Sequence, residues 1–287
     1  MTVPFEEVRL RLPHIELAAH LYGPEDGLPV IALHGWLDNS MSFARLAPKL
    51  KGLRIVALDQ AGHGHSEHRP MGAEYHSWDY VHDVMQVAEQ FGWKRFNLLG
   101  HSMGAIGSVL LAGAMPDRVE RLALIDGLTP FTGEAEQSPA KLGSALKSRM
   151  ALAGKRKPVY KTIEDAVAAR MKGDGAVSFE AAELLAQRGL MPVPGGYTWR
   201  TDSRLTLPSP LRLTAAHARA FVQAVACPAR LVVAERGILM KQPNLRELLE
   251  GSQIETEQLP GGHHLHLDDE AGAQAVADCF NRFFGKP

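Results

Sequence analysis

The chain has 287 residues, 45% hydrophobic and 22% charged, enough to bury a large core as a soluble globular protein. Its 31 Lys and Arg against 32 Asp and Glu leave a formal charge of -1, which gives no electrostatic case for binding nucleic acid or an anionic membrane. No apolar run is long enough to span a bilayer, and the N-terminal stretch lacks a basic region followed by an apolar one, so neither a membrane span nor a signal peptide is expected. Cys227 precedes a proline and Cys279 lies in an apolar helical stripe. Both read as buried thiols in a reducing compartment, and a cytoplasmic location is expected.

Residues 8–12 and 15–21 alternate apolar with polar or small side chains, which predicts two half-buried antiparallel strands around a turn at Pro13-His14. Residues 29–33 are apolar throughout, as in a parallel sheet covered on both faces. That run ends at His34-Gly35-Trp36-Leu37-Asp38-Asn39, and Phe43, Leu46 and Leu50 predict a helix after it. Residues 54–59 predict the next strand, which enters a Gly-rich loop from Gln60 to His68 holding His63, His65 and His68. A metal site there lacks cysteines and a His pair at helical spacing, so no metal is expected. The glycines are read instead as allowing a tight irregular turn, braced by Asp59. Ser77 predicts a helix N-cap, with Tyr80, Val81, Val84, Val87, Ala88 and Phe91 at helical spacing behind it.

Residues 96–99 form another apolar strand, which stops at Gly100-His101-Ser102-Met103-Gly104, and small residues as far as Ala112 predict a helix. Strand, sharp turn and helix is the setting of a nucleophile elbow. Such a turn strains the serine backbone and holds Ser102 Oγ at the carboxyl end of the sheet, while Gly100 and Gly104 leave room for strand and helix to approach. The N–H of Met103, in the first helical turn where donors are unpaired, points to the same spot. The N–H of Trp36, at the end of the earlier strand, is the candidate second oxyanion donor. An ordinary Gly-Ser turn in an αβ unit is the competing reading.

Residues 119–125 predict a further strand ending at Asp126-Gly127. Strands alternating with helices imply βαβ units and a mostly parallel sheet, an α/β fold. From Leu128 to about Ala215 the rhythm changes. Helical patches at 142–152, 163–171 and 179–190 are separated by Gly/Pro-rich and basic connections, among them Gly154-Lys155-Arg156-Lys157-Pro158, read as a solvated linker. This segment, 129–215, reads as a helical cap inserted into a core of 1–128 and 216–287. The sheet resumes at 228–234, a helix carries Leu245, Leu248 and Leu249, and a short strand covers 254–259. His263, His264 and His266 follow Pro260-Gly261-Gly262, and a last helix sets Ala273, Val276, Ala277, Phe280 and Phe284 on one face.

A serine hydroxyl needs a base within hydrogen-bond reach, and the base needs a carboxylate to set its tautomer. In this strand order the partners follow as serine, acid, histidine, with the histidine on the loop after the last strand. His263, directly after Gly262, fits; His264 and His266 compete.

His34-Gly35, the Asp59 to Ser66 loop, Gly100-His101-Ser102-Met103-Gly104 and Gly262-His263, in this order and spacing, resemble the α/β-hydrolase family over nearly the whole chain. Within it, the run from His34 to Asn39 and residues 199–202 through 209–214 resemble the serine hydrolase-like proteins. The resemblance implies a mostly parallel central sheet flanked by helices. Most members carry the acid in a Gly-x-x-Asp pattern beyond the strand that here ends at Ala234. This chain reads Ala234-Glu235-Arg236-Gly237 there, and Gly237 has no carboxylate. Some members place the acid after the strand that follows the nucleophile helix, which here ends at Asp126. Asp126 is therefore the expected acid and Glu235 the alternative, although relatives with a late acid also carry an acidic residue at the Asp126 position.

The reaction implied is hydrolysis of a small or medium apolar carboxylic ester through an acyl-enzyme. Ser102 attacks, His263 takes the proton, Asp126 orients His263, and the Trp36 and Met103 N–H groups hold the oxyanion. His34, Gly35 and His101 are expected to border the substrate. A small-molecule substrate is the expected partner, with no cofactor, nucleic acid or membrane. A serine at the elbow argues against the carboxylate-nucleophile chemistry of haloalkane dehalogenases and epoxide hydrolases. The same triad suits cleavage of a C–C bond or an amide, or perhydrolysis. Two rival classes are a binding protein that has lost catalysis, supported only by the missing late acid, and a metal-dependent hydrolase using the His63 to His68 loop.

Overall fold

The computed structural model describes residues 5–152, 154, 156–172, 175–242 and 244–285. Residues 1–4 of the N-terminal stretch and Lys155 of the basic run lie outside them. The core strands are β1 (Glu6–Arg11), β2 (Glu16–Tyr22), β3 (Leu28–Leu33), β4 (Leu53–Leu58), β5 (Phe96–His101) and β6 (Val119–Ile125), with helices α1 (Ser77–Gln90) and α2 (Met103–Ala114) between them. Helices α3 (Ser138–Leu152), α4 (Ile163–Arg170) and α5 (Phe179–Gly189) follow, then strands β7 (Leu190–Val193) and β8 (Gly196–Trp199) and helix α6 (Ala215–Ala224). The chain closes with β9 (Ala229–Arg236), α7 (Leu245–Leu249), β10 (Ile254–Gly262), α8 (Leu265–Asp268) and α9 (Glu270–Phe284).

Eight strands form one sheet in the order β1-β2-β4-β3-β5-β6-β9-β10. β2 runs antiparallel to both its neighbours, and every pairing from β4 to β10 is parallel. The continuous apolar runs follow from this arrangement, because both faces are covered. Ile31, Leu33, Leu98, Leu122 and Leu124 pack with Val84 and Val87 of α1, Val109 of α2 and Val222 of α6. Their alternate neighbours Val30, Ala32, Leu99, Ala123 and Ile125 pack with Val276, Ala277 and Phe280 of α9. A side chain as fully buried as Phe280 contributes about 1.5–3 kcal/mol of hydrophobic stabilisation.

Several local expectations are corrected. The helix expected over Phe43, Leu46 and Leu50 is two short 3-10 turns, Ser40–Phe43 and Ala47–Lys49. Asn39 caps the start of the first by accepting the Met41 N–H, and Pro48 removes the N–H a continuing α-helix would use. The three apolar side chains are buried all the same. The cap of α1 is His76 rather than Ser77, with the His76 N–H donating to the Asp79 carboxylate at 3.0 Å. Residues 190–199, read from the sequence as part of a helical cap, form a hairpin, β7-β8. An edge strand tolerates proline, and Gly195 and Gly196 supply the positive φ of 92° and 143° at the turn. Lys157 of the basic run is not a free cation in solvent. Its Nζ donates to the Trp199 and Arg200 carbonyls at 3.1 and 3.3 Å.

The segment between β6 and β9 is fastened to the sheet by polar contacts. Arg188 Nε meets Asp59 Oδ2 at 2.7 Å, Arg170 Nη2 meets Asp38 Oδ1 at 2.7 Å, and Asn39 Nδ2 donates to the Leu185 carbonyl at 2.9 Å. Among the described residues no helix is long and apolar enough to cross a membrane. Cys227 and Cys279 are both free and buried.

Candidate active site

Ser102 sits between β5 and α2 with φ 52° and ψ -114°, a conformation that costs an ordinary side chain about 1–3 kcal/mol. The neighbouring glycines make it possible. A Cβ on Gly104 would lie 2.0 Å from the Leu33 carbonyl oxygen, and one on Gly100 2.5 Å from Ala105 Cα. A Cβ on Gly127 would lie 2.5 Å from the Ser102 carbonyl oxygen, so the β6 exit also needs a glycine to pass the elbow.

His263, just past β10, places Nε2 2.9 Å from Ser102 Oγ and Nδ1 2.7 Å from Asp126 Oδ2. The Asp126 contact is read as Nδ1–H donating to the carboxylate, which leaves Nε2 bare to accept the serine proton. Asp126 is fully buried, at a φ of 40° directly after β6. Its carboxylate also accepts the Ile238 N–H at 2.8 Å and the Ala234 N–H at 3.3 Å. A Cβ on Gly237 would lie 2.2 Å from Asp126 Oδ2. The glycine that lacks the common late acid thus also vacates the space that Asp126 fills. Glu235 is exposed near the end of β9.

His264 and His266 are occupied elsewhere. His264 Nε2 bonds Asp38 Oδ2 at 3.2 Å, and His266 Nε2 bonds Ser42 Oγ at 3.1 Å. Burial pushes the His266 imidazole down to about 3, so it is neutral at ordinary pH.

Met103 opens α2, and Trp36 lies in a tight turn in which the Asp38 N–H donates to the Gly35 carbonyl at 3.2 Å. Among the described residues neither the Trp36 nor the Met103 N–H donates to a protein acceptor. The Leu37 N–H is taken by His63 Nε2 at 3.3 Å. Trp36 is half exposed, its indole N–H donating to the Leu205 carbonyl at 3.0 Å.

His34 and His101 border the site from beneath. Both rings are fully buried, so neither faces open space. His34 Nδ1 meets the Gly35 carbonyl at 2.7 Å and Nε2 accepts the Gln60 N–H at 3.0 Å. His101 Nε2 meets the His263 carbonyl at 3.0 Å. Burial, and then the neighbouring histidines, hold His101 well below the usual imidazole range. Gly35 makes this packing possible, since a Cβ there would lie 2.9 Å from His101 Nδ1 and 3.1 Å from Asp38 Oδ2.

Asp59 braces the Gly-rich loop, accepting the His65 and Ser40 N–H groups at 2.7 Å each as well as Arg188. Burial raises its pKa, but Arg188 and those two donors outweigh it and leave the carboxyl lowered. His63, His65 and His68 each take a separate partner: the Ala61 carbonyl, Glu7 and the Arg200 carbonyl. Among the described residues, the groups that converge as metal ligands would are Asp38, His101 and His264, and His14, His82 and Asp83. Neither draws on that loop. Sequence reasoning missed Asp38 and Arg170. Asp38 had a signal in its position just after His-Gly, whereas nothing local marks Arg170.

The family model for the alpha/beta hydrolase fold matches residues 29–169. A serine hydrolase-like protein of Dictyostelium discoideum is 32% identical over 283 residues, 92% of this chain and 78% of that protein. A crystal structure of a hypothetical protein from Pseudomonas aeruginosa PAO1 is 72% identical, with a TM-score of 0.96 over 98% of this chain and 100% of that one. The thioesterase domain from the curacin biosynthetic pathway is 25% identical, with a TM-score of 0.81 over 95% of this chain and 99% of that one. On its fold and on these likenesses, the chain belongs to the α/β-hydrolase family and, within it, groups with the serine hydrolase-like proteins.

Proposed function

We propose that this hydrolase cleaves small or medium apolar carboxylic esters through an acyl-enzyme on Ser102. The observation that carries the reading is the hydrogen-bonded row Ser102, His263, Asp126, at 2.9 and 2.7 Å, with the serine held at positive φ. Ser102 Oγ attacks the ester carbonyl carbon while His263 Nε2 takes its proton. Asp126 holds Nδ1–H and stabilises the imidazolium. The Met103 and Trp36 N–H groups receive the oxyanion, each such donor being worth about 10²–10³ in rate. Collapse breaks the ester C–O bond as His263 gives the proton to the departing alcohol. Water then attacks the acyl carbon with His263 again as base, releasing the acid and regenerating Ser102.

In this reading residues 129–215 act as a cap that selects the substrate. The half-exposed Trp36, in the turn that offers the second oxyanion donor, supports an apolar acyl or alcohol group. The likeness to a thioesterase domain supports acyl transfer to water as the reaction class. The test is labelling by a fluorophosphonate probe together with hydrolysis of short p-nitrophenyl esters, across wild type, Ser102→Ala, Asp126→Asn and Glu235→Gln. Wild type and Glu235→Gln should label and turn over, Ser102→Ala should not label, and Asp126→Asn should slow strongly. Folded wild-type protein that neither labels nor hydrolyses any ester would refute the proposal.

A further inference from the structure

The imidazole of His263 lies against two others. Its ring centroid is 4.7 Å from that of His101 and 4.9 Å from that of His264, and those two are 4.8 Å apart. Hydrogen bonding places one proton on each flanking imidazole. His101 Nε2–H must donate to the His263 carbonyl, so Nδ1 is bare; it lies 3.8 Å from Asp38 Oδ2 with no hydrogen-bond partner. His264 donates from Nε2 to that same Oδ2. One fully buried carboxylate therefore bonds one flanking imidazole and faces the bare nitrogen of the other.

A buried carboxylate is tolerated only with a cation or several donors beside it. The cation comes from α4, outside the β5-to-α2 region that carries the elbow. Arg170 Nη2 bonds Asp38 Oδ1 at 2.7 Å, and Nη1 bonds the Gly175 carbonyl at 2.7 Å, which holds the guanidinium in one orientation. Burial raises the Asp38 pKa, but the His264 hydrogen bond and the Arg170 guanidinium hold the carboxyl well below its usual range. Asp38, His101 and His264 converge within 4.8 Å as metal ligands would, yet Arg170 already supplies the countercharge.

We propose that Arg170 is a positioning residue for His263: it pins Asp38, and Asp38 fixes the His264 imidazole, which with His101 flanks the His263 ring. The inference rests on the hydrolase reading of Ser102 and His263. Without Arg170 the Asp38 carboxylate is uncompensated and free to turn, so the His264 imidazole it bonds loses a fixed acceptor. The groups facing His263 are Asp126 at the end of β6, His101 at the end of β5, and His264 and His266 in its own loop and α8. Those facing Asp38 are Arg170, His264 and His101, with His34 and His63 beyond them.

The test uses the full chain as wild type, Arg170→Gln, Arg170→Lys, Asp38→Asn and the Arg170→Gln/Asp38→Asn double variant. Three readouts are taken: kcat and KM on a short p-nitrophenyl ester across pH, fluorophosphonate labelling, and NMR titration of the histidine ring protons. The acidic limb of kcat/KM reports the base of the free enzyme. Arg170→Gln removes a positive charge and should move that limb to higher pH, with kcat down about tenfold or more and KM changed less. Asp38→Asn should move it to lower pH, and the double variant should bring it back toward wild type. Arg170→Lys should recover part of the loss in kcat. The proposal is overturned if Arg170→Gln lowers only the melting temperature, or if both single variants move the limb the same way. Should Arg170→Gln not fold, an unmoved limb in both Arg170→Lys and Asp38→Asn overturns it equally. If wild type does not label, the hydrolase reading fails instead. The His263 titration, which needs no turnover, then decides the positioning claim by shifting or not shifting in the variants.

Discussion

The sharpest structural prediction concerns Gly237, the position where most relatives carry their acid. Replacing it with alanine adds one carbon, which would sit 2.2, 2.4 and 2.5 Å from Asp126 Oδ2, Oδ1 and Cγ. Non-bonded carbons settle near 3.5–4.0 Å, so the carboxylate or the backbone must yield by about 1 Å or more. The Asp126 carboxylate is held by two N–H donors as well as by His263, so the movement falls on the bond that sets the His263 tautomer. A misplacement of about 1 Å costs roughly 10² in rate, and loss of the orienting carboxylate roughly 10⁴, or about 5.4 kcal/mol at 1.36 kcal/mol per tenfold. Gly237→Ala is therefore expected to lower kcat/KM by about 10²–10⁴, with overpacking lowering stability by about 1–3 kcal/mol. The assay is ester hydrolysis with parallel urea melts, on Gly237→Ala, Asp126→Asn and the double variant. Because both substitutions strike one bond, the double should be little worse than the worse single. An Asp126→Gly/Gly237→Asp swap should regain part of the activity. Wild-type turnover by Gly237→Ala would refute the reasoning, since the carboxylate could not then be acting from where it lies.

Three further expectations concern stability. Burial holds His63 and His266 down at about 3 and His20 at about 4, against about 6.5 unfolded. All three are neutral in both states above pH 6.5; below it the unfolded chain binds protons that the native one excludes. Stability should therefore fall by about 1.4 kcal/mol per pH unit for each histidine as pH drops from 6.5 toward 4, and urea melts at pH 7.5, 6 and 5 that coincide would sink this. Arg188→Gln leaves Asp59 buried without its cation and should cost about 3–5 kcal/mol, measured by denaturant unfolding; a loss under 1 kcal/mol would mean the pair is relaxed in solution. Within α2, Gly104→Ala drives a Cβ to 2.0 Å from the Leu33 carbonyl and should prevent stable folding. Gly107→Ala meets nothing within 4 Å and should stabilise by about 0.5–1 kcal/mol, so equal effects at the two sites would contradict the elbow packing.

The sheet strands, the helices α1 to α5 and the elbow were readable in the sequence because each is written in neighbouring residues. Side-chain periodicity reports which face is buried, and Gly100 and Gly104 announce a close approach whatever lies on the other side. Where a local signal had two meanings, tertiary contacts chose between them. Residues 190–199 read as part of a helical cap until β8 pairs beside β7, and Phe43, Leu46 and Leu50 are buried in either a helix or two 3-10 turns.

The site divides along the same line. Gly-x-Ser-x-Gly between a strand and a helix pointed to Ser102, and Gly-His after the last strand to His263 with His264 and His266 competing; in the structure His264 and His266 bond Asp38 and Ser42 instead. The pairing of His263 with Asp126 rather than Glu235 depends on β6 and β9 lying side by side, so that the bare Gly237 faces the Asp126 carboxylate. The Arg170–Asp38 contact spans 132 residues and leaves no periodicity or motif behind. Sequence alone determined which residues could do the chemistry, because reactivity and turn geometry are local. Only the tertiary structure decided which buried charges meet, because a buried carboxylate finds its cation and its donors wherever the packed chain brings them within hydrogen-bond reach.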